Sequence, residues 1–206
     1  MLVTDRGLAR GRPLAEIVCE AVAGGATCVQ LREKTATTRE FLEEARRVRA
    51  ALQKSGVPLI INDRVDIALA AGAAGVHLGQ QDMPAGDARR LGPPGWIIGV
   101  SAESVEDAIR AEAGGADYIG VSPVFATPTK TDTAFPLGLA GVRAIRAAVG
   151  IPVVAIGGIH AGNAGDVIRA GADGLAVVSA LVAAESPRMA AEELRRAIED
   201  GRKNQK

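Results

Sequence analysis

Four times along this chain the same punctuation recurs. Ala23-Gly24-Gly25-Ala26, Ala71-Gly72-Ala73-Ala74, Ala113-Gly114-Gly115-Ala116 and Ala170-Gly171-Ala172-Asp173 each close an alanine-rich stretch with helical character. A short apolar run follows each at once: Cys28-Val29, Val76-His77-Leu78, Tyr118-Ile119-Gly120-Val121 and Leu175-Ala176-Val177-Val178. Glycine just past a helix supplies the left-handed residue that ends it. An apolar run bounded so tightly reads as a strand buried on both faces. Further runs lie at Leu2 to Thr4, Leu59 to Ile61, Ile97 to Val100 and Val153 to Ile156, with Pro58 and Pro152 just ahead of two of them, where a missing N–H costs least.

The pattern predicts eight strands, near 2–4, 28–32, 59–62, 75–78, 97–101, 118–121, 153–156 and 174–178. Helices alternate with them, starting near Pro13, Thr38, Arg64, Ala85, Ser104, Leu137, Asn163 and Pro187. Eight strand–helix units within 206 residues favour one α/β domain over residues 1–206, a closed parallel (β/α)8 TIM barrel. A doubly wound open sheet is the alternative. So short a barrel needs tight loops throughout. The sixth strand is the exception, with about fifteen residues, Ser122 to Pro136, before the next helix. Long loops in compact domains are usually functional or disordered.

Composition excludes several function classes. Lysine and arginine number 24, as do aspartate and glutamate, so the basic excess of a nucleic-acid binder is missing. No apolar run approaches the roughly 18 residues that cross a bilayer. The start, MLVTDRG, lacks the regions of an export leader. Cys19 and Cys28 form neither a metal-ligand spacing nor a disulfide framework. The expectation is a cytoplasmic protein acting on small molecules, with homo-oligomerisation left open.

In barrels of this type the chemistry sits at the C-terminal ends of the strands. Side chains alternate across a strand, so Val29 and Leu31 pack under the outer helices while Gln30, Arg32 and Lys34 face the axis and mouth. Unpaired buried charge is very costly, so two cations there predict either an anionic ligand or internal pairing with Glu33 or Asp63. The third strand ends Asn62-Asp63-Arg64 and the fourth runs on to Gln81-Asp82-Met83-Pro84. Asn62 or Asp63 could cap a helix, and Asp82 could sit in a turn. Together, Asp63 and Asp82 match the one or two carboxylates that magnesium takes beside waters and phosphate oxygens. His77 reads as a packed, hydrogen-bonded residue, and Ser101 as a cap or turn residue.

The loop after the sixth strand, Ser122 to Asp132, offers threonine hydroxyls and Lys130, which suit phosphate. Gly157-Gly158 after the seventh strand and Ser179 after the eighth fall where such barrels often bind phosphate. Glycine lets backbone approach an anion closely. The reading yields two anion sites around one mouth, one of them with carboxylates for a metal.

Taken in order, these motifs resemble thiamine-phosphate synthases. They are Leu2-Val3-Thr4-Asp5, Val29 to Lys34, Ile61 to Asp66, Gly75 to Pro84, the Ser122–Asp132 loop and Ile156-Gly157-Gly158-Ile159. The resemblance implies a transferase that joins hydroxymethylpyrimidine diphosphate to a thiazole ethyl phosphate, carboxylated or not, releasing pyrophosphate and thiamine monophosphate. It implies that Gln30, Arg32, Lys34, Asn62, Ser101 and Lys130 hold the pyrimidine diphosphate. Asp63 and Asp82 would hold Mg²⁺, and Thr127, Pro128, Thr129, Gly158, Val178 and Ser179 would line the thiazole-phosphate side. Arg32, Lys34, Lys130 and Ser101 become the catalytic candidates. One departure is visible: many members carry His-Thr after the serine of the fifth strand, where this chain has Ala102-Glu103.

The implied chemistry is a dissociative displacement in which pyrophosphate leaves and the thiazole nitrogen captures a pyrimidine methyl cation. Three rivals differ in kind. A related barrel protein that only rearranges the thiazole phosphate would lack the Asp63–Asp82 pair. A Schiff-base aldolase would need Lys130 desolvated with a lowered pKa. A non-catalytic phosphate sensor could use the same scaffold, and magnesium-dependent pyrophosphate release separates it from an enzyme.

Overall fold

A computed structural model of the protein describes residues 1–127 and 135–203. Eight strands run in chain order: β1 (Leu2–Val3), β2 (Val29–Leu31), β3 (Leu59–Asn62), β4 (Gly75–Leu78), β5 (Ile97–Ala102), β6 (Tyr118–Val121), β7 (Val153–Ile156) and β8 (Gly174–Ala176). All pair in parallel with their sequence neighbours. The ring closes between its first and last strands, where Leu2 pairs with Val177, Val3 N–H donates to Val177 O at 3.0 Å and Val177 N–H to Met1 O at 3.0 Å. The closed barrel, not the open sheet, is therefore the architecture.

The helices are α1 (Leu14–Ala23), α2 (Thr38–Leu52), α3 (Val65–Ala71), α4 (Ala85–Leu91), α5 (Val105–Ala113), α6 (Gly138–Ala148), α7 (Ala161–Arg169), α8 (Ser179–Val182) and α9 (Pro187–Lys203). Strand alternation sets the two layers of the interior. Leu2, Val29, Leu31, Ile61, Val76, Ile98 and Ile119 join the core under the helices. Val3, Gln30, His77, Tyr118, Gly120, Val154 and Ala176 line the central cavity instead. The helices answer with their own period. On α2 the buried residues Phe41, Glu44, Ala45, Val48 and Leu52 form one stripe, as a helix packed on one side requires.

Two glycines let the ring of helices close. A Cβ on Gly201 of α9 would stand 2.9 Å from Gly165 O of α7, and one on Gly24 would overlap the carbonyl of Arg188. Any larger residue there would push α9 away from α7 and α1.

The eight predicted strands are all present, and the predicted helix starts lie close to those observed. One element was missed. The eighth strand, expected near 174–178, ends at Ala176, and the backbone then makes the single turn α8. Among the described residues no helix is long and apolar enough to cross a membrane.

Helix α2 starts with a complete capping box. Thr37 Oγ1 accepts from Glu40 N–H at 3.4 Å, and the Glu40 carboxylate accepts from Thr37 N–H at 2.8 Å. Losing a threonine N-cap costs about 1 kcal/mol. Thr37→Ala is expected to lower the urea midpoint accordingly while leaving the barrel mouth and its kinetics unchanged.

Candidate active site

At the C-terminal ends of the strands the barrel opens into a cavity of about 500 Å³, within the roughly 300–1,000 Å³ usual for small-molecule sites. Gln30, Arg32 and Lys34 all line it, together with Asn62, Asp63, Asp82, Ser101 and Thr127, and with Gly158, Val178 and Ser179 across the opening. Pro128, Thr129 and Lys130 lie outside the described residues.

The two cations are paired. Lys34 Nζ donates to Asp63 Oδ2 at 2.6 Å, and Arg32 donates to Asp5 Oδ2 at 3.3 Å. Glu33 does neither job. It points away from the mouth and accepts from Arg6 at 2.6 Å. Burial would raise the Glu33 carboxyl, but the Arg6 hydrogen bond and nearby backbone N–H groups hold it below its ordinary value. Internal pairing with Asp63 is thus real for Lys34. Arg32 uses Asp5, a partner that sequence reading passed over. The signal was available, since Asp5 lies two residues past the end of β1, close to the placement that singled out the other candidates.

The carboxylates are not spent on caps. The residue at the N-cap of α3 is Arg64, that of α4 is Pro84, and neither helix has a side-chain cap. Asp63 instead sits at φ +64°, a left-handed conformation that Asp and Asn tolerate better than other side chains. Its N–H donates to His77 O at 2.8 Å, tying the end of β3 to β4. Asp82 does occupy a turn, accepting from Gly79 N–H at 2.6 Å.

Asp82 and Asp63 both line the mouth, each close to the other's charge. Burial first, and then the Asp63 charge, push the Asp82 carboxyl above its ordinary value, against the pull of Gly79 N–H and Lys34. Like charges this near each other are unfavourable, and a cation between them would relieve that. That donor set fits magnesium, whose remaining positions go to water and phosphate oxygens. Among the described residues no three His, Cys, Asp or Glu side chains converge as a self-sufficient metal cage. Among the described residues, Arg32 and Lys34 here face the carboxylates of Asp5, Asp63 and Asp82.

The opposite rim is built from backbone. Gly157 and Gly158 have φ of +106° and +64°. A Cβ on Gly157 would lie 2.9 Å from Pro123 Cα, and one on Gly158 2.9 Å from Ala126 O. The pair therefore lets the β6 loop lie directly on the end of β7, where Val124 N–H donates to Ile156 O at 3.0 Å and Phe125 N–H to Gly157 O at 3.1 Å. This packing role could not be read from the sequence. Next to it, Ser179 opens α8 beside the cavity.

Ser101 stands on β5 and is neither cap nor turn; Ser104 caps α5. Ala102 is buried in the outer core, whereas Glu103 reaches the mouth. Gln80 also lines the mouth, donating to Ser101 O at 2.5 Å. His77 is buried and hydrogen-bonded, its Nε2 3.0 Å from Ser101 Oγ.

Comparison with known proteins points one way. The family model described as thiamine monophosphate synthase matches residues 1–181. A thiamine-phosphate synthase of Albidiferax ferrireducens is 59% identical over 198 residues, covering 96% of this chain and 90% of that protein. One from Chloroflexus aurantiacus is 57% identical, covering 94% and 89%. Among solved structures, the thiamine phosphate pyrophosphorylase of Pyrococcus furiosus superposes with a TM-score of 0.89 at 46% identity, covering 97% of this chain and 95% of that one.

Proposed function

Because this chain belongs to the thiamine monophosphate synthase family, we propose that its barrel mouth joins a pyrimidine methyl diphosphate to a thiazole ethyl phosphate by a dissociative, magnesium-assisted displacement. The chain is a transferase of thiamine biosynthesis. The observation that carries the mechanistic reading is the Lys34–Asp63–Asp82 cluster with Arg32 beside it, at the reactive end of the barrel.

In this reading Arg32 and Lys34 hold the diphosphate, and Asn62 and Gln30 contact the pyrimidine side. Asp63 and Asp82 would hold the metal; magnesium, when bound, supplies positive charge to the departing pyrophosphate. As the bond to the methylene carbon breaks, negative charge collects on the leaving group. Arg32 and Lys34, which both line the mouth, would lie beside that charge and stabilise it as it appears. The thiazole phosphate is assigned to the Gly158, Val178, Ser179 and Thr127 rim, with Pro128 and Thr129 next to it in sequence. From there its ring nitrogen can meet the carbon. Carbon–nitrogen bond formation gives the thiazolium product with no proton to remove, so no general base is required. Lys130 is assigned to the diphosphate from the family resemblance.

The proposal extends to a cytoplasmic setting, supported by two unbridged cysteines, Cys19 and Cys28. The test is a single-turnover reaction of both substrates with and without Mg²⁺. Thiamine monophosphate and pyrophosphate should form in equal amounts and only when the metal is added. Equal rates after chelation would remove the magnesium assignment, and pyrophosphate without thiamine monophosphate would remove the acceptor site.

A further inference from the structure

Beneath the mouth, three polar side chains from three strands, Tyr118 of β6, His77 of β4 and Ser101 of β5, form one hydrogen-bonded line, with Gln30 of β2 in the same cavity wall. Tyr118 Oη lies 2.9 Å from His77 Nδ1 of β4, and His77 Nε2 lies 3.0 Å from Ser101 Oγ of β5. Gln30, His77 and Tyr118 are each less than a tenth exposed, at 5%, 8% and 7%. The backbone is trimmed around the rings. A Cβ on Gly99 would overlap the Tyr118 ring, and one on Gly120 would stand 2.8 Å from His77 Cε1. Glycine inside a strand weakens it, so two of them facing these rings mark space kept for the line.

The line has a direction. Tyr118 Oη lies within hydrogen-bond distance of His77 Nδ1, and the phenol gives its hydrogen to that nitrogen. Burial pushes the Tyr118 phenol far above its ordinary value, so that hydrogen is retained. A neutral imidazole that accepts at Nδ1 carries its hydrogen on Nε2, which then donates to Ser101 Oγ. With its oxygen engaged, the serine has one hydrogen left, and the cavity lies in front of it.

We propose that Tyr118 and His77 are positioning residues that fix the Ser101 hydroxyl as a hydrogen-bond donor into the mouth, selecting a substrate that presents an acceptor atom there. The substrate part of this rests on the functional reading above; the tautomer part does not. The first test needs no substrate. The chain has two histidines, so the ¹⁵N spectrum of the labelled protein, compared with that of His160→Ser, isolates the His77 ring. The Nε2-protonated tautomer is expected, and the Nδ1-protonated form would overturn the direction of the line.

The second test is kinetic. Tyr118→Phe keeps the ring and removes one neutral hydrogen bond, so kcat/KM for the diphosphate substrate should fall by about ten-fold. The KM for the thiazole phosphate should not move. In a Ser101→Ala background the same change should have almost no further effect. A full ten-fold loss in that background would show that Tyr118 acts by some route other than Ser101. If Tyr118→Phe does not fold, the tautomer of the unaltered ring still decides. A protein that makes no thiamine monophosphate yet shows the Nε2 tautomer would sink the functional reading and leave the line standing.

Discussion

Asp63→Asn and Asp82→Asn are each expected to lower turnover by about 10²- to 10³-fold, the loss typical when one preorganised charge contribution to a transition state is removed. Both substitutions are chosen to spare the fold. Asparagine tolerates the left-handed φ of +64° at position 63, and its amide oxygen can still accept from Gly79 N–H at position 82. What disappears is charge. The magnesium concentration giving half-maximal rate should rise in both variants, because one of two carboxylates that would share the cation has become a weak neutral ligand. Thermal midpoints should stay close to that of the parent. Thiamine monophosphate formation across a magnesium titration reads both effects. Wild-type rates with an unshifted magnesium dependence in the two variants would take the carboxylate pair out of the mechanism.

The second large effect concerns the barrel itself. Gly75 begins β4 and pairs with Ile97 of β5. A methyl group at this position would collide with the Ile97 carbonyl, which belongs to the backbone of the neighbouring strand and has no rotamer to escape into. Gly75→Ala should therefore cost at least the roughly 3 kcal/mol at the upper end of ordinary overpacking. For a domain of this size that is a fall of about 6–12 °C in melting temperature. Because His77 lies two residues along the same strand, catalysis should suffer even below the melting transition. A melting temperature within a degree or two of the parent would mean that β4 and β5 can part without penalty, contrary to their continuous pairing from Gly75–Ile97 to Leu78–Val100.

Much of the architecture was legible because the barrel is locally encoded. Each unit carries its own terminator, such as Gly72 with φ +63° at the end of α3, and its own buried strand. The site was legible to the extent that it follows alternation: Val29 and Leu31 turn outward, while Gln30, Arg32 and Lys34 turn to the cavity. The short α8 was not legible, since an apolar run supports a strand or a helical turn equally well until the chain's path is known. Ser101 illustrates another limit. A lone serine near a helix start is usually a cap, and only the observed capping by Ser104 frees it for the mouth.

The sequence alone determined the number, order and type of the elements, and which residues stand at the strand ends, because periodicity and punctuation act within a few residues. Tertiary structure alone decided who meets whom. Lys34 and Asp63 are 29 positions apart, and His77 and Tyr118 are 41 apart. They are neighbours only because closure of the ring and the register of its strands bring separate units to one axis. No local pattern carries that information, since a side chain's period tells which face it occupies but not what lies opposite.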